Sequence, residues 1–346
     1  MELETFMGLD YPTLWFLVVG GLFTGYAILD GFDFGAGAWH LFFKKEQSRR
    51  IALNAVGPVW DGNEVWLVIG GGALFAGFPV VYATLLSGLY LGFMLFLFFL
   101  ILRAVSIEFR SKEKMDWWRK MWDVTYSVSS IMLAFLLGVV LGNVLTGLPL
   151  MENRDINVPF LQIVNPFSVL TGLVTLVLFM MHGGIYLLMK TEGKLFDKIG
   201  SLTQKAVIAF VILFSLTTVI SLIYYPHLSD RFRDMPFLFI VPILGFLSIA
   251  NIPRLLSKRK YFSAFIFSAI TMMFLLMTVA IELYPSILIS SIDPKYDISI
   301  YEAASSTKTL KIMMGFVAVG GPLVLSYTYF VYRTFKGKVV LDEHSY

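Results

Sequence analysis

The sequence predicts an all-α integral membrane protein of about nine transmembrane helices, with the N-terminus outside and the C-terminus inside. Three observations carry this. Hydrophobic residues make up 57% of the 346 residues and charged residues only 15%, where a soluble globular chain carries about 25% charge. Mean hydropathy is +0.75. The apolar residues fall in long blocks, and segments of ~20–25 apolar residues fit helices that satisfy their own backbone hydrogen bonds while crossing lipid. The connections are short and leave no room for a soluble catalytic domain.

The first block, 12–40, follows a stretch with acids and no Lys or Arg, unlike the basic n-region of a signal peptide. The second and third, 52–76 and 79–102, are divided by Gly77-Phe78-Pro79, and the fourth runs over 122–146. Asn165-Pro166 opens the fifth, 166–189, and Tyr225-Pro226 closes the sixth, 204–225. The seventh covers 236–253; the eighth, 261–284, stops at Tyr284-Pro285; the ninth is 312–332. Pro285 to Lys311 reads as a solvated loop in preference to a small cap. Tandem repeats and low-complexity segments are absent.

Basic residues fix the orientation. Alternating the connections puts 21 of the 27 Lys and Arg on one side: Lys44 to Arg50, Arg103 to Lys120, Lys190 to Lys205, Arg254 to Lys260 and Arg333 to Lys338. The other side keeps Arg154, Arg231, Arg233, Lys295, Lys308 and Lys311. Basic residues flank cytoplasmic helix ends, so the richer side is inside.

Several chemistries are excluded. With no cysteine the chain forms no disulfide and offers no thiolate to iron–sulfur clusters or haem. A net charge of +3 is too small to argue for nucleic acid. Histidine is scarce: His344 is in the tail, His227 in an outside loop and His40 near the inside interface, which leaves His182 as the one deep candidate. Haem ligation by two histidines on facing helices therefore has no support within this chain. His182, beside Gly183 and Gly184, reads as hydrogen-bonded or as part of a proton path.

Four acids stand inside blocks: Asp30 and Asp33 in the first, Asp61 and Glu64 in the second. Each ionised carboxylate facing lipid would cost about 2.5–3.5 kcal/mol. They must face protein, be hydrated or be protonated. Each pair is spaced i, i+3 and shares a helix face. All four fall towards the cytoplasmic half, which suggests proton handling. The plainer reading is buried acids bonded to a neighbour or to Arg103, holding helices in register, with Asp30 interrupting its helix beside Gly31. Gly25, Gly31, Gly35, Gly37 and Gly70 to Gly72 read as close-packing positions. Trp60 and Trp66 bracket the second acid pair and read as gap-filling aromatics or as walls of a pocket.

Gly25-Tyr-Ala-Ile-Leu-Asp-Gly-Phe-Asp-Phe-Gly-Ala-Gly37 resembles the first-helix signature of subunit II of cytochrome bd-type quinol oxidases. Pro58-Val-Trp-Asp-Gly-Asn-Glu-Val-Trp66, with Asn63 inside it, and Gly71-Gly-Ala-Leu-Phe-Ala76 resemble the second. Phe78-Pro79, Gly88-Leu89-Tyr90, the Arg103 to Lys112 stretch, His182-Gly-Gly184 and Lys190-Thr-Glu-Gly193 extend the match, dense over 20–112 and loose in the last third. The resemblance implies one polytopic domain over 1–346, with a four-helix bundle at 12–146, a second at 166–284 and a peripheral helix at 312–332. It implies a partner, subunit I, that carries haems b and d, oxidises quinol and reduces O2 to water in the bacterial cytoplasmic membrane. This chain would ligate no cofactor itself. A structural quinone and small single-span subunits are further components known in the family. Asp61 occupies the family's proton-path position; Glu64 stands where some relatives carry Gln. Asp30, Asp33 and His182 are further path candidates, with Trp60, Asn63, Trp66 and Arg103 around them. The competing reading is a proton-coupled secondary transporter, which also uses intramembrane acids and Gly-rich breaks.

Overall fold

The structure is a computed structural model that describes residues 4–6, 8–156 and 160–341, so His344 lies outside the described residues. Asp10 opens the first helix, α1 (Tyr11–Trp39), by accepting from the Thr13 amide at 2.8 Å. The helix runs unbroken through Asp30-Gly31, so Asp30 does not interrupt it. α2 (Glu46–Val56) is a short amphipathic helix that stops at Gly57-Pro58. α3 (Trp60–Gly77) follows, and α4 (Pro79–Gly88) leaves it at an angle of 117°. Next come α5 (Tyr90–Phe109) and α6 (Asp116–Thr146), which ends at Gly147 in the left-handed region, φ +88°.

After the single turn α7 (Phe160–Ile163), Asn165 caps α8 (Pro166–Lys190), and α9 (Gly193–Tyr224) returns. α10 (Asp230–Asp234) leads to the hairpin of α11 (Ile240–Ser257) and α12 (Tyr261–Leu283). The single turn α13 (Ile300–Ala303) precedes the last long helix, α14 (Thr307–Thr334). The described residues also form two small antiparallel pairs, β1 (Thr5–Phe6) with β2 (Leu9–Asp10) and β3 (Ser286–Leu288) with β4 (Ile298–Ser299), and short 3-10 turns in the connections. Among the described residues eight helices are long and apolar enough to cross a membrane, or nine when the bent α3–α4 pair counts as one crossing.

Two expected blocks change. Residues 52–56 belong to α2, because Gly57 and Pro58 end that helix before α3 begins at Trp60. Residues 79–88 do not start the third crossing. Pro79 redirects the chain, and α4 lies where Val81 and the following Leu89 are buried with Leu148, Leu150 and Ile300. The third crossing begins at Tyr90.

α1 packs on α3 and α6, and α5 on α6; α8 packs on α9 and α12, and α11 on α12. The two sets meet where α8 lies against α6 and α1. That approach depends on glycine: a Cβ at Gly35 would strike the Phe179 carbonyl, and one at Gly183 would strike the Phe32 carbonyl and the Ala36 amide. Gly25, Gly31 and Gly37 are similarly tight, whereas Gly71 and Gly72 face open space and close nothing within this chain. α14 packs against α1 and α3 and is otherwise largely exposed.

The basic connections gather at one end. Lys198 Nζ donates to the Phe42 carbonyl, Arg110 Nη2 to Glu46 Oε2 at 2.8 Å, Lys190 Nζ to Phe335 O at 2.5 Å and Lys338 Nζ to Thr191 O at 2.8 Å. The opposite end is closed by residues 285–311, which form a packed cap and not a solvated loop. Ile287, Leu288, Ile298, Ile300 and Leu310 are buried against Trp15, Phe78 and Leu148. Ser299 and Glu302 form a reciprocal capping box, and the Ser305 amide donates to Gly77 O at 2.9 Å. Burial in this cap pushes the Asp297 carboxyl above the usual carboxylate range, opposed by the Ser290 amide that donates to it at 2.7 Å.

Candidate functional site

α1 presents Asp30 and Asp33 one turn apart, α3 presents Asn63 and Glu64, and α5 presents Arg103. Asp30, Asp33 and Arg103 are each 0% exposed. Arg103 therefore is not a connection charge, as the alternation of basic residues had it, but the centre of an intramembrane network. Its guanidinium forks onto Asp30, Nη2 to Oδ1 at 2.8 Å and Nη1 to Oδ2 at 3.4 Å. Nη1 also reaches Glu64 Oε1 at 3.5 Å, and Nη2 lies 3.9 Å from Asp33 Oδ2. The guanidinium carbon stands 4.5 Å from the Phe34 ring centroid.

Asn63 extends the network. Its Nδ2 donates to Asp33 Oδ2 at 2.8 Å and to Leu29 O at 3.2 Å, while its Oδ1 accepts from the Tyr332 hydroxyl at 2.8 Å. Tyr332 comes from the last turn of α14, so the peripheral helix reaches the buried site and sets which way the Asn63 amide faces. Three carboxyls thus surround one guanidinium, Asp30 and Asp33 fully buried and Glu64 partly so. Ion pairs at this depth are tolerated only with matched geometry and further hydrogen bonds, and one charge of each sign is matched here while two carboxyls are left over. Such a cluster can take up and release protons with little rearrangement.

The sequence candidates separate into groups. Asp30, Asp33, Asn63, Glu64 and Arg103 come together. Asp61 does not join them: it is exposed, stands in the first turn of α3 and has no ion pair among the described residues. It is less deep than the block 52–76 implied, because α3 starts at Trp60, and an acid in a first helical turn is favoured by the helix dipole. Its stripe along α3 continues through Val65, Val68 and Phe75, which are 44%, 71% and 58% exposed. Glu64, one turn on, is half-buried. Trp60 fills a small core with Leu53, Ile107 and Tyr126. Trp66 lies over Gly25, where a Cβ would collide with its ring.

His182 is apart from the carboxylates. Its Nε2 donates to Ile28 O at 3.1 Å, so in the neutral ring Nδ1 accepts from Ser268 Oγ, at 2.6 Å, and the ring stacks on Phe265 with centroids 4.5 Å apart. Both nitrogens are engaged, which does not suit an axial haem ligand. Among the described residues no group of three or more His, Cys, Asp or Glu is arranged to hold a metal ion.

Sequence reasoning missed a second network, at the basic end. Asp123 of α6 is buried, and its Oδ1 meets His40 Nε2 at 2.5 Å and Arg110 Nε at 2.6 Å, while Oδ2 accepts from Arg49 Nη1 at 2.8 Å. Arg110 also holds Glu46. The only signal was that the alternation of spans puts His40, Arg49, Arg110 and Asp123 at the same end. Tyr332 was missed too; a tyrosine near a span end resembles any interfacial aromatic.

The model of the family "Cytochrome bd terminal oxidase subunit II" matches residues 11–335. The chain belongs to the cytochrome bd oxidase subunit II family. It is 31% identical over 371 residues to cytochrome bd-I ubiquinol oxidase subunit 2 of Escherichia coli K12, covering 97% of each. It is also 31% identical to cytochrome bd ubiquinol oxidase subunit 2 of Bacillus subtilis, covering 95% of this chain and 97% of that one. The fold matches a chain of the bd oxidase from Geobacillus thermodenitrificans with a TM-score of 0.78 and 19% identity, covering 94% and 98% of the two chains. Subunit II membership makes this chain a multi-pass bacterial membrane protein and one subunit of a terminal quinol oxidase, an oxidoreductase complex that contains haems and a partner subunit I. It displaces the transporter reading.

Proposed function

We propose that this chain is the non-haem-ligating subunit of a quinol:O2 oxidoreductase in the bacterial cytoplasmic membrane, and that it carries protons from the cytoplasm towards the haem-bearing partner. The haems of subunit I supply the oxygen chemistry, with electrons from quinol; this chain's residues supply acid groups at the surface the partner covers. The observation that carries the reading is Asp61: a carboxylate on an exposed apolar stripe of α3, in a chain made for lipid. A carboxylate facing acyl chains is unfavourable, up to about 2.5–3.5 kcal/mol at the helix centre and less in a first turn such as this one. A protein partner over the Asp61–Val65–Val68 stripe removes that cost and gives the carboxylate a use. The basic end of the bundle faces the cytoplasm, and Asp61 stands near it.

Asp61 is the entrance, and Glu64 one turn further links it to Arg103, Asp30 and Asp33. Those buried acids act as a proton reservoir beside the path. Asn63 and Trp60 hold the walls. His182, with both nitrogens engaged, is a packing residue between α1, α8 and α12.

Asp61→Asn keeps size and hydrogen bonding but cannot exchange a proton. The complex should assemble with near-normal haem content, while quinol-dependent oxygen uptake falls by roughly tenfold or more, the scale of one lost proton-transfer group. Asp61→Glu should retain more activity. Native oxygen uptake in an assembled Asp61→Asn complex would refute the path.

A further inference from the structure

On the flank of the second helix set, α11 and α12 line a shallow, open groove of about 530 Å³. Its walls are apolar, with Leu247 on α11 and Ile270 and Phe274 on α12. Towards the α11–α12 turn the lining becomes Asn251 and then Arg254. Beyond Arg254 the turn carries Lys258, Arg259 and Lys260, and a second cleft of about 480 Å³ is lined by Arg259, Lys260 and Lys338. Four cations thus fall within residues 254–260, and the sequence has no Asp or Glu between Asp234 and Glu282. None of the four has an ion-pair partner among the described residues.

Like charges crowded at one helix end repel one another unless a counter-ion sits among them. Among the described residues no carboxylate pairs with these cations, which leaves them open to an anion from outside the chain. An inorganic anion would answer the cations and leave the groove open; a neutral isoprenoid would fill the groove and leave the cations unanswered. A molecule with both an anion and an alkyl chain matches both parts at once. Arginine forks onto phosphate oxygens, and basic pockets between transmembrane helices are suited to anionic lipid headgroups.

We propose that the α11–α12 groove is a binding site for one anionic phospholipid, with its phosphate on Arg254 and an acyl chain along Leu247 and Phe274. The site is independent of the Asp61 path. The purified oxidase complex, reconstituted in phosphatidylcholine vesicles, can be photolabelled with trace phosphatidylglycerol or phosphatidylcholine bearing a diazirine in the acyl chain, and the labelled peptides mapped by mass spectrometry. The phosphatidylglycerol probe should label the 244–254 and 270–274 segments roughly fivefold more than the phosphatidylcholine probe, the factor expected for one favourable headgroup–cation contact. In Arg254→Gln that preference should vanish with haem content unchanged. Equal labelling of the wild-type complex by the two probes would overturn the proposal without any variant. So would loss of the preference on adding inorganic phosphate at matched ionic strength, which would make the site one for free anions, or displacement of both probes by added quinone.

Discussion

Arg103 and Asp30 make the sharpest case at the scale of single residues, because each is buried only on account of the other. Removing Arg103 leaves three carboxyls without a cation, a change that costs about 3–5 kcal/mol for a broken buried pair. Arg103→Leu should therefore abolish accumulation of the complex, measured as immunodetected subunit and haem absorbance in membranes. Arg103→Lys keeps the charge but loses the fork, and should give an intermediate yield. Native yield from Arg103→Leu would mean that the carboxyls are protonated whether or not the guanidinium is present. Tyr332 offers a gentler probe. Tyr332→Phe leaves Asn63 Oδ1 without its donor, at a cost of about 1–3 kcal/mol for an unsatisfied buried acceptor. The variant should lower the thermal unfolding midpoint of the purified complex, and an unchanged midpoint would show that water replaces the hydroxyl.

Among the elements, the contact of α1 with α8 is made backbone to backbone. A methyl at Gly183 meets the Phe32 carbonyl and the Ala36 amide, neither of which can swing away as a side chain would. Gly183→Ala should then cost about 1–3 kcal/mol through overpacking, read as increased aggregation of the detergent-solubilised complex on mild heating. Elements were also where sequence reading was most and least successful. Hydropathy found the nine apolar blocks, because a crossing helix needs a length of apolar chain that few other structures need. It placed the break at Gly77-Phe78-Pro79 but could not separate α4 from α5, since both are apolar and Ser87-Gly88-Leu89-Tyr90 interrupts them weakly. The 285–311 cap was hidden for the opposite reason: its buried Ile and Leu are interspersed with Ser, Asp and Tyr. In the site, Asp30, Asp33 and Glu64 were legible because an acid inside a span is costly anywhere else. Asp123 was not, because periodicity and hydropathy place a residue near a span end without saying that its face is buried.

The whole molecule is asymmetric along its long axis: a basic end held together by ion pairs, and an opposite end sealed by an apolar cap. Reporter fusions should place the 45–50, 110–120 and 254–260 segments in the cytoplasm and the 150–160 and 290–305 segments outside. An external position for 110–120 would invalidate the order of crossings. The subunit expressed alone should bind no stoichiometric haem, since the deep His182 has both nitrogens engaged; a b-type spectrum lost in His182→Ala would contradict this.

The cap has one more consequence, and it concerns biosynthesis. The Trp15 indole donates to Leu310 O at 3.0 Å, across 295 positions of chain. At about 5–20 residues per second, a ribosome reaches the second partner roughly 15–60 s after the first. Tyr332 arrives later still to meet Asn63. The opening helices are therefore in the membrane well before the residues that complete their surroundings exist, and Asp33 waits with them. A nascent chain in that interval exposes an unfinished polar patch to lipid, to translocation machinery and to membrane proteases. Any truncation upstream of residue 310 would make the interval permanent, leaving the Trp15 indole without its Leu310 acceptor.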